Sequence, residues 1–318
     1  MSTSLVPYNP DIPHVRSYME MIDRSAPKQI EADRLTPVLP ALNGQNSIAH
    51  SGLFFTPPAY LNTDLFIGVE IYRRETDEKG PILIFSHGMG ADPIQYRPLL
   101  NEIASHGYVV LSVAHPSAIE DVDLPPAEEA ARASSMAKVM ANDIQYVLDQ
   151  VRSGSLRGVG DGSRIFLGGH SLGGAASINV SRNDPAIAGC VNLDGFLQGN
   201  EKTEGLKQPL LMLLGDHKGW VEELKKDPDE GAREYANRCS NSLAEYETLY
   251  QNSVRVEQRS EKIVLPGSGH MDFTDAPFRK VLKGENSLDS AMKVHTFVFQ
   301  TMLQFMKNAG STSNNSSC

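Results

Sequence analysis

The chain has 318 residues, 40% of them hydrophobic, with 29 Lys plus Arg against 39 Asp plus Glu and a formal charge of −10. That balance argues against nucleic acid or an anionic membrane surface as the main partner, because both are polyanions. The length allows one or two domains and a sizeable core. The sparse thiols Cys190, Cys239 and Cys318 suit a reducing compartment better than a disulfide framework. The stretch between Arg164 and Arg182 lacks charge, but it carries His170, Ser171 and several glycines and is too polar to span a bilayer. The first ten residues lack the basic start and apolar core of a signal peptide, and Ser2 stands where myristoylation needs glycine. A soluble, cytoplasmic protein is therefore expected.

In chain order, residues 1–50 are rich in proline and read as an extended segment packing on the core. Phe66–Arg73 and Pro81–Ser86 read as strands, the latter a short apolar run of the kind buried in parallel sheets. Leu53–Phe55 reads as an apolar strand, and Ile94–Ser105 as a helix ended by Gly107. Tyr108–Val113 is a β-branched strand, and Pro126–Arg152 is a long helix with apolar residues at three- and four-residue spacing. Strands follow at Arg164–Gly168, Gly189–Leu193, Leu210–Leu214 and Ile263–Leu265, with helices at Leu172–Arg182 and Leu288–Met306. This alternation implies an α/β fold, a mostly parallel sheet with helices on both faces, and functional residues beyond the strands' carboxyl ends. Residues 217–260, dense in alternating charge, read as a helical insertion whose ordinary role is a solvated surface, with a cover over the site as the rarer one. Residues 51–307 form one domain, and Asn308–Cys318 a disordered Gly/Ser/Asn/Thr tail.

The chemistry concentrates in three places. Gly169-His-Ser-Leu-Gly173 follows a strand and precedes a small-residue helix, the context in which G-x-S-x-G forms a nucleophile elbow and exposes a serine, here Ser171. A Gly-rich turn in an inactive fold is the bland alternative. His87-Gly-Met-Gly90 follows the strand at Ile82–Ser86, where ester hydrolases place one oxyanion amide. The two donors would be the N–H groups of Met89 and Leu172, with His87 orienting the loop. Order along the chain (serine, acid, histidine) leaves His217, His270 and His295 as bases. His295 sits between apolar helix neighbours, and His217 precedes the insertion. His270 lies in Pro-Gly-Ser-Gly-His, a loop able to bring an imidazole to Ser171, and is preferred. Asp194 and Asp216 both end strands and both qualify as the acid; Asp272 is a local alternative. Gly158–Gly162 precedes its strand and is a turn, not a dinucleotide loop, and no C-x-x-C or H-E-x-x-H implies a metal. No cofactor is expected.

Through Phe85–Gly90, Ile103–Val110, Gly169–Ala175, Val191–Gly195 and Gly267–Phe273, the chain resembles the platelet-activating-factor acetylhydrolases, the group VII-like phospholipases A2 of the α/β-hydrolase superfamily. The resemblance spans roughly Phe66–Phe273 and implies Ser171 as nucleophile, His270 as base, and Met89 and Leu172 as oxyanion donors. It also favours Asp194 over Asp216, since that family takes its acid from a Leu-Asp-Gly-like segment after the serine. The implied activity is hydrolysis of lipid or phospholipid acyl esters without a cofactor. The rivals are a cutinase-like or general carboxylesterase and, in another class, an inactive binding protein on the same fold.

Overall fold

The computed structural model describes residues 48–55, 57–58, 66–74, 79–116, 126–156, 159–199 and 202–310. Most of the expected N-terminal segment, and the tail from residue 311 on, lie outside them. Eight strands form one sheet: β1 (Ile48–Phe55), β2 (Ile67–Arg74), β3 (Pro81–Ser86), β4 (Val109–Ala114), β5 (Asp161–His170), β6 (Gly189–Leu193), β7 (Leu210–Gly215) and β8 (Glu261–Leu265). The helices are α1 (Arg97–Ser105), α2 (Pro126–Arg152), α3 (Leu172–Asn183), α4 (His217–Leu224), α5 (Glu230–Val256), α6 (Ala276–Leu282) and α7 (Leu288–Gly310).

The strand order is β1-β2-β4-β3-β5-β6-β7-β8. β1 and β2 pair antiparallel, as do β2 and β4, whereas every pairing from β4 onward is parallel. The chain runs outward from β3 to β4 and returns to lay β5 on the other side of β3. The loops leaving β3 and β5 therefore open at a topological switch point, where open α/β sheets bind ligands.

Side chains alternate across the buried strands, so each one feeds two cores. On β3, Leu83 and Phe85 join Leu100 and Ile103 of α1 and Phe299 and Met302 of α7. Ile82 and Ile84 face the other way, onto Met140, Ile144 and Val147 of α2 and Ala176 of α3. On β7, Leu211 and Leu213 enter the first core, while Leu210 and Met212 meet Tyr246 and Leu249 of α5. Burying each such side chain contributes about 1.5–3 kcal/mol, which is why the sheet's centre reads as unbroken apolar runs.

Four differences from the sequence reading have local causes. The sheet begins at Ile48, inside the stretch read as an extended wrap. The expected helix from Ile94 opens as a 3-10 turn, Pro93–Tyr96, capped by Asp92, whose side chain accepts the Ile94 N–H at 3.0 Å. Helix α7 continues through Gly310, so Asn308–Gly310 are helical and not tail; the apolar stripe Phe305, Met306, Ala309 carries the helix on. Helix α6 has no counterpart in the sequence reading, its seven residues being too few for a periodic signal.

Candidate functional site

Ser171 stands between β5 and α3 with φ 54° and ψ −129°, a left-handed conformation that side chains other than glycine rarely adopt. The flanking glycines make that turn possible. A Cβ on Gly169 would lie 2.6 Å from the Ser86 carbonyl oxygen, and one on Gly173 would lie 2.3 Å from the carbonyl oxygens of both Ser86 and His87. Nothing larger than hydrogen fits at either position.

His270 begins a 3-10 turn, His270–Phe273, beyond β8. Its Nε2 lies 3.0 Å from Ser171 Oγ and its Nδ1 2.6 Å from Asp194 Oδ2. With Nδ1–H donated to the carboxylate, the lone pair on Nε2 faces the serine hydroxyl. Asp194 closes β6 and is itself left-handed, at φ 53°. It is fully buried; Oδ1 accepts the Gly215 N–H at 2.9 Å, and a second imidazole, His217, brings Nε2 to 2.9 Å from Oδ1 and 2.7 Å from Oδ2. Burial alone would raise the Asp194 pKa, but the hydrogen bonds and charges of His217 and His270 outweigh it and hold the carboxyl well below the usual carboxylate range. The reciprocal hydrogen bond raises His217 above an ordinary histidine.

The other candidate acids serve the loop that carries His270. Asp216 Oδ2 accepts the Gly267 N–H at 3.1 Å, and its own N–H donates to Ser268 O at 2.8 Å. Asp272 Oδ2 accepts the Gly269 N–H at 2.9 Å. Neither of these bonds involves the ring.

Met89 and Leu172 both line the cavity at Ser171. Leu172 opens α3, where an N–H has no acceptor within the helix. Gly88 lets the preceding loop close in, for a Cβ there would lie 3.0 Å from Ser171 Cβ.

A buried relay ties the three loops together. The Gly88 N–H donates to Tyr96 Oη at 3.1 Å, the Tyr96 hydroxyl to His170 Nδ1 at 2.8 Å, and His170 Nε2–H to the His270 carbonyl oxygen at 2.8 Å. Burial lowers His170 to about 3, so the ring is neutral and can both accept and donate. Behind the relay, His87 Nδ1–H donates to Gly88 O at 2.7 Å, and His87 Nε2 accepts the His115 N–H at 3.0 Å. His115 spans Asp143 Oδ2 at 2.9 Å and Ser86 Oγ at 2.8 Å. The loop-orienting place expected of His87 matches these contacts.

Sequence order sets His170 aside, and the preference for the His270 loop passes over His217. A strand ending in Gly215-Asp216-His217 could suggest a third polar group at the sheet's edge, whereas Tyr96 offers no signal of its own. The insertion also needs correcting, because only its outer face is a plain solvated surface. Buried Ala236, Cys239, Tyr246, Leu249 and Ser253 recur along one stripe of α5, and Trp220, Tyr235, Arg238 and Cys239 line an open cavity of about 760 Å³ above Ser171. No described helix is long and apolar enough to cross a membrane.

The chain is similar to several known proteins. The sequence pattern of the Chlorophyllase family matches residues 68–194. A "probable 1-alkyl-2-acetylglycerophosphocholine esterase" of Arthroderma benhamiae is 27% identical over 220 residues, covering 64% of this chain and 52% of that protein. The platelet-activating factor acetylhydrolase of Cavia porcellus is 25% identical over 242 residues, covering 64% and 50% respectively. This chain thus spans about half the length of the curated relatives it matches. Among solved structures, a ferulic acid esterase from Streptomyces cinnamoneus superposes with a TM-score of 0.60 at 19% identity, covering 86% of this chain and 93% of that one. The fold is that of the α/β-hydrolases, and in sequence the chain is similar to platelet-activating factor acetylhydrolases.

Proposed function

We propose that the chain is a serine hydrolase of carboxylic esters acting through an acyl-enzyme, with lipid or phospholipid acyl esters as its substrate class. The observation that carries this reading is the hydrogen-bonded line from Ser171 Oγ through His270 to Asp194, at 3.0 and 2.6 Å. In the reaction His270 Nε2 takes the hydroxyl proton as Ser171 Oγ attacks the ester carbonyl, and Asp194 stabilises the imidazolium. The Met89 and Leu172 amides receive the developing oxyanion, which is worth about 3–4 kcal/mol per donor in comparable sites. His270 then passes its proton to the departing alcohol. Water, deprotonated by the same ring, releases the acyl group.

The named substrates of the curated relatives support the lipid class, as does the cavity. Its wall carries Phe196, Trp220 and Tyr235, and among the described residues Arg238 is its one Lys or Arg. Apolar contact, and not a basic surface, would therefore draw a substrate in.

Labelling with a fluorophosphonate probe tests the nucleophile, with Ser171→Ala as the unlabelled control. Turnover of short-chain phospholipids against p-nitrophenyl esters and polyester film tests the substrate class. Wild-type protein that stays unlabelled beside a labelled control esterase would overturn the enzyme reading. Polyester release without phospholipid turnover would move the substrate to the cutinase-like class.

A further inference from the structure

A hydrolytic serine site needs one imidazole on its carboxylate, and this one has two. We infer that Asp194, His217 and His270 form a transition-metal site, selective for a borderline cation such as Zn²⁺, whose occupation switches the ester-cleaving machinery off. The switching half of this inference rests on the function proposed above; the metal site itself does not.

The donor set is two imidazoles and one buried, ionised carboxylate, a combination that suits Zn²⁺ and its neighbours over Mg²⁺ or Ca²⁺. His217 Nε2 and His270 Nδ1 lie 2.7 and 2.6 Å from the same Asp194 oxygen, and the three donor atoms fall within 4.8 Å of one another. They are 23 and 76 residues from Asp194 along the chain, so no sequence motif announces them. Tetrahedral Zn²⁺ with bonds near 2.1 Å would need its ligands roughly 3.4 Å apart, an opening of about 0.7–0.8 Å from the present contacts. The chain can supply that slack. His270 follows Gly267 and Gly269, where a Cβ would meet nothing within 4 Å, and His217 is the first residue of α4. The cavity above Ser171 admits the cation and a water as fourth ligand.

The consequence for catalysis follows from proton count. A neutral imidazole carries one proton. When a cation takes the Nδ1 lone pair of His270, that proton moves to Nε2, the atom facing Ser171 Oγ at 3.0 Å. His217 likewise shifts its proton from Nε2 to Nδ1. The His270 ring gains and loses no proton in this, yet it has become a donor toward the serine and can no longer accept its hydroxyl proton.

The test has a binding arm and an activity arm. In the first, Co²⁺ is titrated into the full chain carrying Ser171→Ala, and visible d–d absorption of a four-coordinate ion is read with and without His217→Gln. The expected result is a 1:1 absorbing complex that His217→Gln weakens at least tenfold. In the second, Zn²⁺ at micromolar concentration should cut wild-type hydrolysis of a p-nitrophenyl ester at least tenfold, reversibly with EDTA. The ratio of activities with and without zinc should return to near one in His217→Gln, whatever that variant's own rate. Cys239→Ser, which removes the thiol in the cavity wall, should stay zinc-sensitive. Equal zinc inhibition of wild type and His217→Gln, or loss of inhibition in Cys239→Ser alone, would overturn the assignment. So would an absent Co²⁺ spectrum at millimolar metal. Should the protein cleave no ester, the spectrum still decides the site, so failure of the function and failure of the metal site are distinguishable.

Discussion

Replacing Asp194 by Asn puts the proton-handling geometry under direct strain. The carboxylate is fully buried and accepts three N–H groups, from Gly215, His217 and His270, at 2.6–2.9 Å. Asparagine has one acceptor oxygen and one NH₂ group, so it cannot satisfy all three donors. If the oxygen keeps Gly215 and His217, the NH₂ faces His270 Nδ1 and forces the ring into the tautomer with Nε2–H against Ser171. That tautomer cannot take the hydroxyl proton, and the expected loss in kcat is about 10³–10⁴, or roughly 4–5.5 kcal/mol of barrier. Asp216→Asn forgoes only one acceptor for the Gly267 N–H, at the surface of the same loop, and should cost less than tenfold. The assay is steady-state hydrolysis of a p-nitrophenyl ester, with thermal melting to establish that both variants fold. A loss of 10³ in Asp216→Asn beside near-normal Asp194→Asn would refute the reasoning.

Other outcomes rest on the packing and the buried rings. Gly173→Ala should abolish both soluble expression and activity, since its Cβ would press on two carbonyl oxygens at 2.3 Å; wild-type melting of this variant would contradict the elbow packing. Tyr96→Phe removes the hydroxyl shared by Gly88 and His170 and should lower kcat by about tenfold and stability by about 1–2 kcal/mol, with KM nearly unchanged; urea titration and kinetics would check both. Burial lowers His87, His170 and His295 to about 3, 3 and 4, below an ordinary histidine near 6.5. The unfolded chain therefore binds protons that the fold refuses, and stability should fall as pH drops from about 6.5 toward 4, by roughly 1.4 kcal/mol per pH unit for each ring. Urea midpoints that stay flat between pH 6.5 and 4.5 would contradict this. Trp220 is the chain's one tryptophan and stands 46% exposed on the cavity wall, so phosphonylation of Ser171 should change its fluorescence; an unaltered spectrum on full labelling would separate Trp220 from the site.

What could be read from the sequence was what local physics fixes. The elbow at Ser171 is written in contiguous residues, because the glycines, the preceding strand and the following helix all lie within one short stretch. The buried strands are legible as apolar runs for a related reason: each is covered on both faces. The choice between Asp194 and Asp216 is different, since both end neighbouring parallel strands and the sequence carries no sign of which way the next loop turns. The fold resolves their contacts through the 3-10 turn at His270, which aims the ring at Asp194 while Asp216 pins the loop behind it. The roles of His217 and Tyr96 are not legible in the sequence, because their partners lie 23 and 74 residues away and no periodicity links them. The inner stripe of α5 is hidden by the charges on its outer face, which dominate the composition of that segment.

The placement of His217 has a consequence for how such a molecule can change. The insertion does not begin at a neutral hinge some distance from the chemistry; its first helical residue is bonded to Asp194. Exchanging residues 217–260 for a segment of another length would alter the cavity wall and, in the same stroke, the surroundings of the carboxylate. Substrate preference and proton handling are thus inherited as a linked pair. Grafts that keep Gly215-Asp216-His217 and exchange only residues 218–260 are the ones expected to leave that link intact.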